Sequence, residues 1–181
     1  VHIEGEDSDY ELISDSTGVV ETVLPNGDYV IYAGKWGYVN NCFAKSLDLP
    51  RDTVYIELIS GYYDDFSVNQ GWRSFSVNEY PIWQRTHPKA SFDTNTGLQY
   101  DPSEDATNND CYDWAYCTGI NENISATQTT VNWTNYLVSP EFEIPSSKTD
   151  ATVSFSYWLG FSEGANDTVK IGLIQGEDTL Y

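Results

Sequence analysis

The fold is decided by the stretch Leu24-Pro25-Asn26-Gly27-Asp28-Tyr29-Val30-Ile31-Tyr32-Ala33. Its Pro-Asn-Gly-Asp segment is a turn signal, because asparagine and glycine tolerate positive φ angles. The turn lies between residues 19–24 and residues 29–32, which are rich in β-branched and aromatic side chains. Such residues favour strands. The stretch therefore predicts two strands joined by a tight turn.

An apolar period of two recurs further along the chain. It is found in three segments, with the apolar face formed by Val54, Ile56 and Leu58, by Val153, Phe155 and Tyr157, and by Val169, Ile171 and Leu173. Alternation of this kind is typical of a sheet with one face in water. No window of the sequence has a convincing helical period. The sequence therefore predicts an all-β protein.

Composition excludes several classes of function. The 181 residues include 28 acidic and 8 basic side chains, for a formal charge of −20. This charge argues against nucleic acid as a partner and disfavours an anionic lipid surface. Hydrophobic residues make up 40% and aromatic residues 15% of the chain, which is enough to build a core. No apolar run is long enough to span a membrane.

A change of composition near residues 59–64 divides the chain into two units. Residues 1–60 consist of short strand-like segments and tight turns. Residues 61–181 begin with a Trp-rich stretch, continue through a long polar region and end in regular strand-like segments. Short strands with regular turn signals are typical of sandwiches. We therefore expect two β-sandwiches in tandem.

Residues 1–60 resemble a carboxypeptidase regulatory-like domain, which is a small transthyretin-like or Ig-like sandwich. The resemblance rests on Thr17-Gly18-Val19-Val20, on the stretch from Leu24 to Ala33, and on Gly37-Tyr38. The family has a further strand before the one expected at residues 1–4. The resemblance therefore implies an incomplete sandwich in which residues 1–4 lie at an open sheet edge.

Residues 61–181 resemble the jelly-roll modules called cleaved-adhesin or choice-of-anchor J domains, which are relatives of the MAM sandwich. The matching pieces are Asp65-Phe66, Gly71-Trp72, Asn135-Tyr136-Leu137-Val138-Ser139-Pro140-Glu141-Phe142, Val153-Ser154-Phe155-Ser156-Tyr157-Trp158 and Asp167-Thr168-Val169-Lys170-Ile171. The family continues through further strands. The resemblance therefore implies a partial jelly roll with an open edge at residues 168–174.

The three cysteines favour an oxidising compartment. Cys111 and Cys117 bracket a short polar segment and are expected to form a disulfide, as in extracellular proteins. The alternative is a pair of reduced thiols in a cytosolic protein. Cys42 is then either a buried small hydrophobic residue or a partner of a cysteine elsewhere.

The jelly-roll resemblance implies a structural calcium ion at the loops that join the two sheets. Calcium needs six to eight hard oxygen ligands. We expect these from Asp64 and Asp65, before the first strand of the second unit, and from Asp110 and Asp113, near the cysteines. The alternative is that these are ordinary solvated acids.

The sequence offers little for catalysis. The two histidines, His2 and His87, belong to different expected units, and no motif for a nucleophile, a catalytic metal or a phosphate loop is present. We therefore expect a protein that is not an enzyme.

Surface features suggest modification and binding. Trp158 alternates away from Phe155 and Tyr157, so it is the best candidate for a platform that stacks on a glycan. Four Asp-Ser/Thr motifs resemble the O-glycan acceptors of bacteria that use type IX secretion, with expected sites at Ser16, Thr53, Thr168 and Thr179. This resemblance implies a bacterial extracellular or cell-surface glycoprotein.

These features together predict a non-enzymatic surface protein that acts in adhesion, scaffolding or fibre-like assembly. Its expected partners are other copies of itself or neighbouring surface proteins, joined by strand exchange at the open sheet edges. The alternative is an accessory or substrate-binding region of a secreted hydrolase, for example a peptidase.

Overall fold

A computed structural model describes residues 1–76, 83–107, 110–120, 134–160, 168–176 and 178–180. For residues 178–180 it describes the backbone without the side chains. The described residues contain strands and no helix, which confirms the all-β prediction. None of them forms a helix with the length and apolar character needed to cross a membrane. In chain order the strands are β1 (His2–Gly5), β2 (Ser8–Glu11), β3 (Gly27–Ala33), β4 (Asn41–Leu47), β5 (Arg73–Ser76), β6 (Gln84–Thr86), β7 (Ser91–Phe92), β8 (Gln99–Asp101), β9 (Ala115–Cys117), β10 (Asn135–Val138), β11 (Leu173–Gln175) and β12 (Asp178–Leu180).

The first unit is built on a four-stranded antiparallel sheet. The strand order is β2-β1-β3-β4, and the register places Ile3 opposite both Tyr10 and Ile31. β1 therefore lies inside the sheet. The expectation that residues 1–4 form an open edge is wrong, because β2 pairs along the side of β1 that was expected to be free.

One face of this sheet carries the core of the first unit. Ile3, Tyr29 and Ile31 are buried and form a cluster. Neighbouring side chains on the same face extend it, and residues from outside the sheet close over it. The partly buried members of the cluster are Val1, Tyr10, Leu12, Leu24, Phe43, Leu47, Val54 and Ile56.

The covering layer consists of extended chain without ladder pairing. Val54, Ile56 and Leu58 alternate with exposed neighbours, so their predicted common inward face is correct. Residues 19–24, by contrast, form no strand with β3. Leu24 packs against the core just before β3 begins. The predicted hairpin is therefore wrong, and β3 begins already at Gly27 without a positive φ angle at that residue or at Asn26.

The described strands of the second unit form four separate two-stranded antiparallel ladders. They are β5 with β10, β6 with β9, β7 with β8, and β11 with β12. Two of these ladders join segments that are distant in sequence, as is usual in sandwich folds. The division at residue 60, the sandwich arrangement of both units and the partial jelly roll stay predictions.

Apolar side chains near the end of the described chain are exposed. Phe155 is 54% exposed and Ile171 is 54% exposed. Val153, Tyr157, Val169 and Leu173 are exposed as well. Residues 152–157 and 168–172 form no ladder among the described residues, and β11 pairs only with β12 there. Residues 151–160 and 168–176 are all exposed, so the predicted alternation of a covered apolar face with a wet face is not found in these described segments.

Truncation of the core should destabilise the first unit. We expect Ile31→Ala to lower the free energy of unfolding by about 2–5 kcal/mol, because it leaves a cavity beside Ile3 and Tyr29. Chemical denaturation followed by tryptophan fluorescence measures this difference. The control is Val23→Ala, at a valine that is 94% exposed, which should change stability by less than about 0.5 kcal/mol. Equal effects of the two substitutions would contradict the assignment of the core.

Candidate functional site

The second face of the four-stranded sheet is polar. Successive side chains of a strand point to opposite faces, and paired residues share a face. Ile3 points into the core, so its neighbours His2 and Glu4 point away from it. The same face receives Tyr32 and Cys42 from the paired strands β3 and β4. We call the place where this face meets residues 66–67, 85–87 and 111–114 the junction.

His2 is fully buried in the junction, with 0% of its surface exposed, as is Tyr32. Its Nδ1 lies 2.8 Å from the backbone oxygen of Ser67, and its Nε2 lies 2.7 Å from Oδ1 of Asp9. The imidazole stacks on Tyr32, with ring centroids 5.0 Å apart. It also meets the edge of Trp114 at 5.0 Å. Both ring nitrogens thus have a partner, as burial of a polar ring requires.

His87 packs against the same tryptophan. Its ring centroid is 4.2 Å from that of Trp114. Its Nδ1 lies 2.6 Å from the backbone oxygen of Asp113, and its Nε2 lies 3.0 Å from Oε1 of Glu4. The sequence placed the two histidines in different units, and the structure brings both of them to Trp114.

Glu4 and Tyr32 complete this part of the junction. The Tyr32 hydroxyl donates a hydrogen bond of 3.2 Å to Oε2 of Glu4. Burial, followed by the nearby charge of Glu4, raises the pKa of Tyr32, so the phenol is neutral and remains a donor. Glu4 therefore accepts hydrogen bonds from both units.

Arg85 ties the two units together by charge. Its guanidinium donates to the backbone oxygens of Phe66 and Ser67 at 3.0 and 3.2 Å, and it also pairs with Glu11. The guanidinium carbon lies 4.4 Å from the ring centroid of Trp114. The Arg85 side chain is only 13% exposed, so solvent screens these contacts less than it would at the surface.

A disulfide closes the junction covalently, and it is not the predicted one. Cys42 is bonded to Cys111, at a sequence separation of 69, and Cys117 has no disulfide. The predicted Cys111–Cys117 bond is therefore wrong. Cys42 lies opposite Tyr32, on the face of β4 that points to the junction, whereas Cys117 is held in β9 opposite Gln84. Burial, with a smaller effect from Asp101, raises the pKa of the Cys117 thiol to about 11, so this thiol is protonated and unreactive at neutral pH.

An aromatic cluster joins further segments beside the junction. It consists of Trp36, Tyr62, Phe66, Trp72, Tyr116 and Phe142, with centroid distances from 4.8 to 6.2 Å between neighbours. The Trp36 indole donates to the backbone oxygen of Glu141 at 2.6 Å. The Tyr62 hydroxyl accepts from the backbone N–H of Glu143 at 2.8 Å. Phe66 reaches the cluster from a backbone with φ of 63°, which is rare for a residue with a bulky side chain.

The four aspartates predicted to bind calcium fall into two loops, and their oxygens already accept hydrogen bonds. Asp64 accepts from the Trp72 indole at 2.8 Å, and Asp65 accepts from Asn40 at 2.7 Å. Asp110 accepts from the Thr107 hydroxyl, and Asp113 accepts from the backbone N–H of Asp105 at 3.2 Å.

The two loops do approach each other. Burial raises the pKa of Tyr63, and the charges of Asp65, Asp110 and Asp105 raise it further. Burial also raises the pKa of Asp64. In the described part of the chain, however, no three acidic, histidine or cysteine side chains form a group that could hold a metal ion. The four aspartates as placed do not fit a calcium site, and calcium binding stays a prediction that melting with and without a chelator tests.

The expected surface sites are accessible where the structure describes them. Ser16, Thr53 and Thr168 are exposed. The motif aspartate at position 167 and the side chain of Thr179 lie outside the described residues. Trp158 is 62% exposed, and its indole donates to the backbone oxygen of Tyr100 at 2.6 Å. Phe155 and Tyr157 are exposed as well, so this exposure does not single out Trp158, and glycan binding and O-glycosylation stay predictions.

The contacts of the junction join residues 1–60 to residues beyond position 60. His2 has no access to solvent, and its nitrogens are occupied by Asp9 and Ser67. Sequence reasoning missed Glu4, Tyr32, Arg85 and the Cys42–Cys111 bond. The alternation of His2, Ile3 and Glu4 was the available signal, because it places two polar residues opposite a core residue.

Comparisons of the chain with protein-family models, with curated proteins and with solved structures find no match. The two family resemblances therefore stay predictions, and the junction must be interpreted from its own geometry.

Removal of the observed disulfide should destabilise the chain. We expect Cys42→Ser combined with Cys111→Ser to lower the free energy of unfolding by about 4 kcal/mol, since a loop of this length strongly restricts the unfolded chain. Denaturation in the absence of reductant measures the effect, and peptide mapping identifies the bond. The control is Cys117→Ser, which removes no cross-link. A larger loss in the control, or a mapped bond between Cys111 and Cys117, would contradict the pairing.

Proposed function

We propose that this chain is a non-enzymatic β-protein of the extracellular space or cell surface, which acts in adhesion, scaffolding or fibre-like assembly. The observation that carries the proposal is the Cys42–Cys111 bond across the junction. Structural disulfides persist in oxidising compartments and are rare in the cytosol. A bond that joins β4 to the polar loop of the second unit suits a protein that must keep its shape outside the cell.

The contacts at the junction support a mechanical role. A covalent bond, the buried His2, the Arg85–Glu11 ion pair and the aromatic cluster all join residues of the two units. Such contacts fix the orientation of one unit against the other. A rigid pair of units holds its two neighbours at a fixed distance and orientation, as a scaffold or fibre requires.

The surface supports self-association at one end. The apolar side chains at positions 153, 155, 157, 169, 171 and 173 are exposed, and soluble proteins rarely leave such a set uncovered. β11 has a ladder partner on one side only among the described strands. Extended segments with unpaired backbone groups are templates for strand addition from another chain. We propose that a second copy supplies the pairing by strand exchange at this end.

The strong negative charge suits this role. At −20, copies repel each other except where specific pairing overcomes the repulsion. Salt screens this repulsion, so association is expected to increase with ionic strength. Glycans at Ser16, Thr53 or Thr168 would add a further barrier to lateral clumping.

Self-association provides the test. We expect the oxidised chain to form larger species as its concentration rises, as measured by sedimentation velocity and electron microscopy. Phe155→Glu should abolish these species, because it places a charge on the apolar side of the segment. The matched control is Ser156→Glu, which adds the same charge on the opposite side of the same segment.

Two results would contradict the proposal of self-assembly. One is a chain that sediments as a monomer at every concentration and salt level. The other is an equal loss of association in the Phe155 and Ser156 variants, which would indicate a general charge effect in place of a specific face.

A further inference from the structure

Trp158 is an exposed residue whose indole is anchored to a neighbouring strand. Although Trp158 is 62% exposed, its Nε1–H donates a hydrogen bond of 2.6 Å to the backbone oxygen of Tyr100 in β8. The exposed neighbours Phe155 and Tyr157 differ from it, because their rings contact each other at a centroid distance of 6.0 Å. No ring contact to Trp158 is found in the described part of the chain. The anchored indole therefore offers its surface to solvent.

A shallow cleft lies beside this indole. Its volume is about 310 Å³, which is near the lower end of the range of about 300–1,000 Å³ for small-molecule sites. The cleft is open to solvent, and it is lined by Leu98, Gln99, Tyr100, Leu159 and Gly160. Trp158 is hydrogen-bonded to one of these lining residues and precedes another in the sequence. Its ring therefore lies at the rim of the cleft.

Gly160 leaves space beside a carboxylate at this cleft. A Cβ atom built on Gly160 would lie 3.5 Å from Oδ1 of Asp101 and 3.5 Å from the backbone oxygen of Tyr100. These are ordinary contact distances, so a side chain at this position would fill the space without a clash. The glycine therefore keeps this side of the cleft open.

Two acceptor oxygens accompany the aromatic ring. Asp101 accepts the hydroxyl of Ser91 through Oδ2, and its Oδ1 has no hydrogen-bond donor among the described residues. Gln99 donates through Nε2 to the backbone oxygen of Asp101 at 2.8 Å, which holds the amide in place. Carboxylate and amide oxygens both accept hydrogen bonds from hydroxyl groups. The site thus combines an aromatic surface with acceptors for hydroxyls.

We propose that Trp158 and this cleft bind a neutral glycan. A sugar ring has an apolar face of C–H groups and a rim of hydroxyls, so an exposed indole covers its face while acceptor oxygens bind its rim. Oδ1 of Asp101 and Oε1 of Gln99 are these acceptors. The chain has a formal charge of −20, and Asp101 places a carboxylate at the site, so an acidic polysaccharide is repelled.

Titration of the intact, oxidised chain with soluble polysaccharides tests this site. The neutral probes are a β-glucan, an α-mannan and a galactan, and the acidic probe is alginate, which has a carboxylate on each sugar residue. We expect saturable binding of at least one neutral probe, measured by isothermal titration calorimetry, and no binding of alginate. Failure of all the neutral probes to bind, or equal binding of alginate, would overturn the proposal.

Two substitutions locate the binding site. Trp158→Ala removes the stacking ring and should weaken binding about tenfold. Gly160→Val leaves the indole in place but fills the cleft beside Asp101, so it should weaken binding to a similar extent. Gly160 is exposed and has no positive φ angle, so this variant should fold. Full affinity in either variant would contradict the proposed site.

The control is Tyr55→Ala, which removes a tyrosine that is 92% exposed and distant in sequence from the cleft. This variant should bind with unchanged affinity, and an equal loss in Tyr55→Ala and Trp158→Ala would overturn the proposal. Glycan binding goes beyond self-association, because it uses side chains outside the exposed apolar set at positions 153–157 and 169–173. Sedimentation of the same samples keeps the two proposals separate, since a monomer that binds glycan supports this site and contradicts self-assembly.

Discussion

A buried imidazole needs a partner for each of its ring nitrogens, and the assembly of this protein around His2 follows from that requirement. β2 supplies one partner through Asp9, and residue 67 supplies the other from beyond the sheet. Residues 1–60 therefore supply only one of the two partners of the His2 ring. Ser67 and Trp114, from beyond residue 60, complete the environment of the ring. The polar face of the sheet is therefore covered by residues from outside the sheet.

Much of the first unit could be predicted from its sequence, because alternation reports directly on which side chains share a face. The inward set of Val54, Ile56 and Leu58 was correct even though these residues form no ladder. Alternation does not report which strands pair. The turn at residues 25–28 was therefore interpreted as a hairpin, although residues 19–24 form no strand with β3 and Leu24 packs against the core. β1 was expected at an edge because the family resemblance implied a missing strand before it, whereas β2 folds back onto it.

The site was harder to predict because its parts are distant in sequence. Short spacing favoured a bond between Cys111 and Cys117, but the register of β3 and β4 decides where Cys42 points. That register is a property of the sheet and is invisible in any short window. Arg85 and Glu11 are 74 residues apart, and only the folded chain brings them together. The strong negative charge argued against nucleic acid as a partner. Because the chain has 28 acidic residues, the sequence alone did not single out Glu4, Asp9 and Glu11, whose carboxylates form contacts at the junction.

The Cys42–Cys111 bond also determines how the chain would respond to tension. If the two ends are pulled apart, force passes from Cys42 to Cys111 through the sulfur atoms, and the chain between them is relieved of strain. The bond spans a separation of 69 residues. At about 3.3–3.6 Å for each extended residue, roughly 230–250 Å of chain is withheld from extension. The aromatic residues Tyr62, Phe66 and Trp72 all lie within this protected loop, so stretching would leave their local chain slack until the bond is reduced.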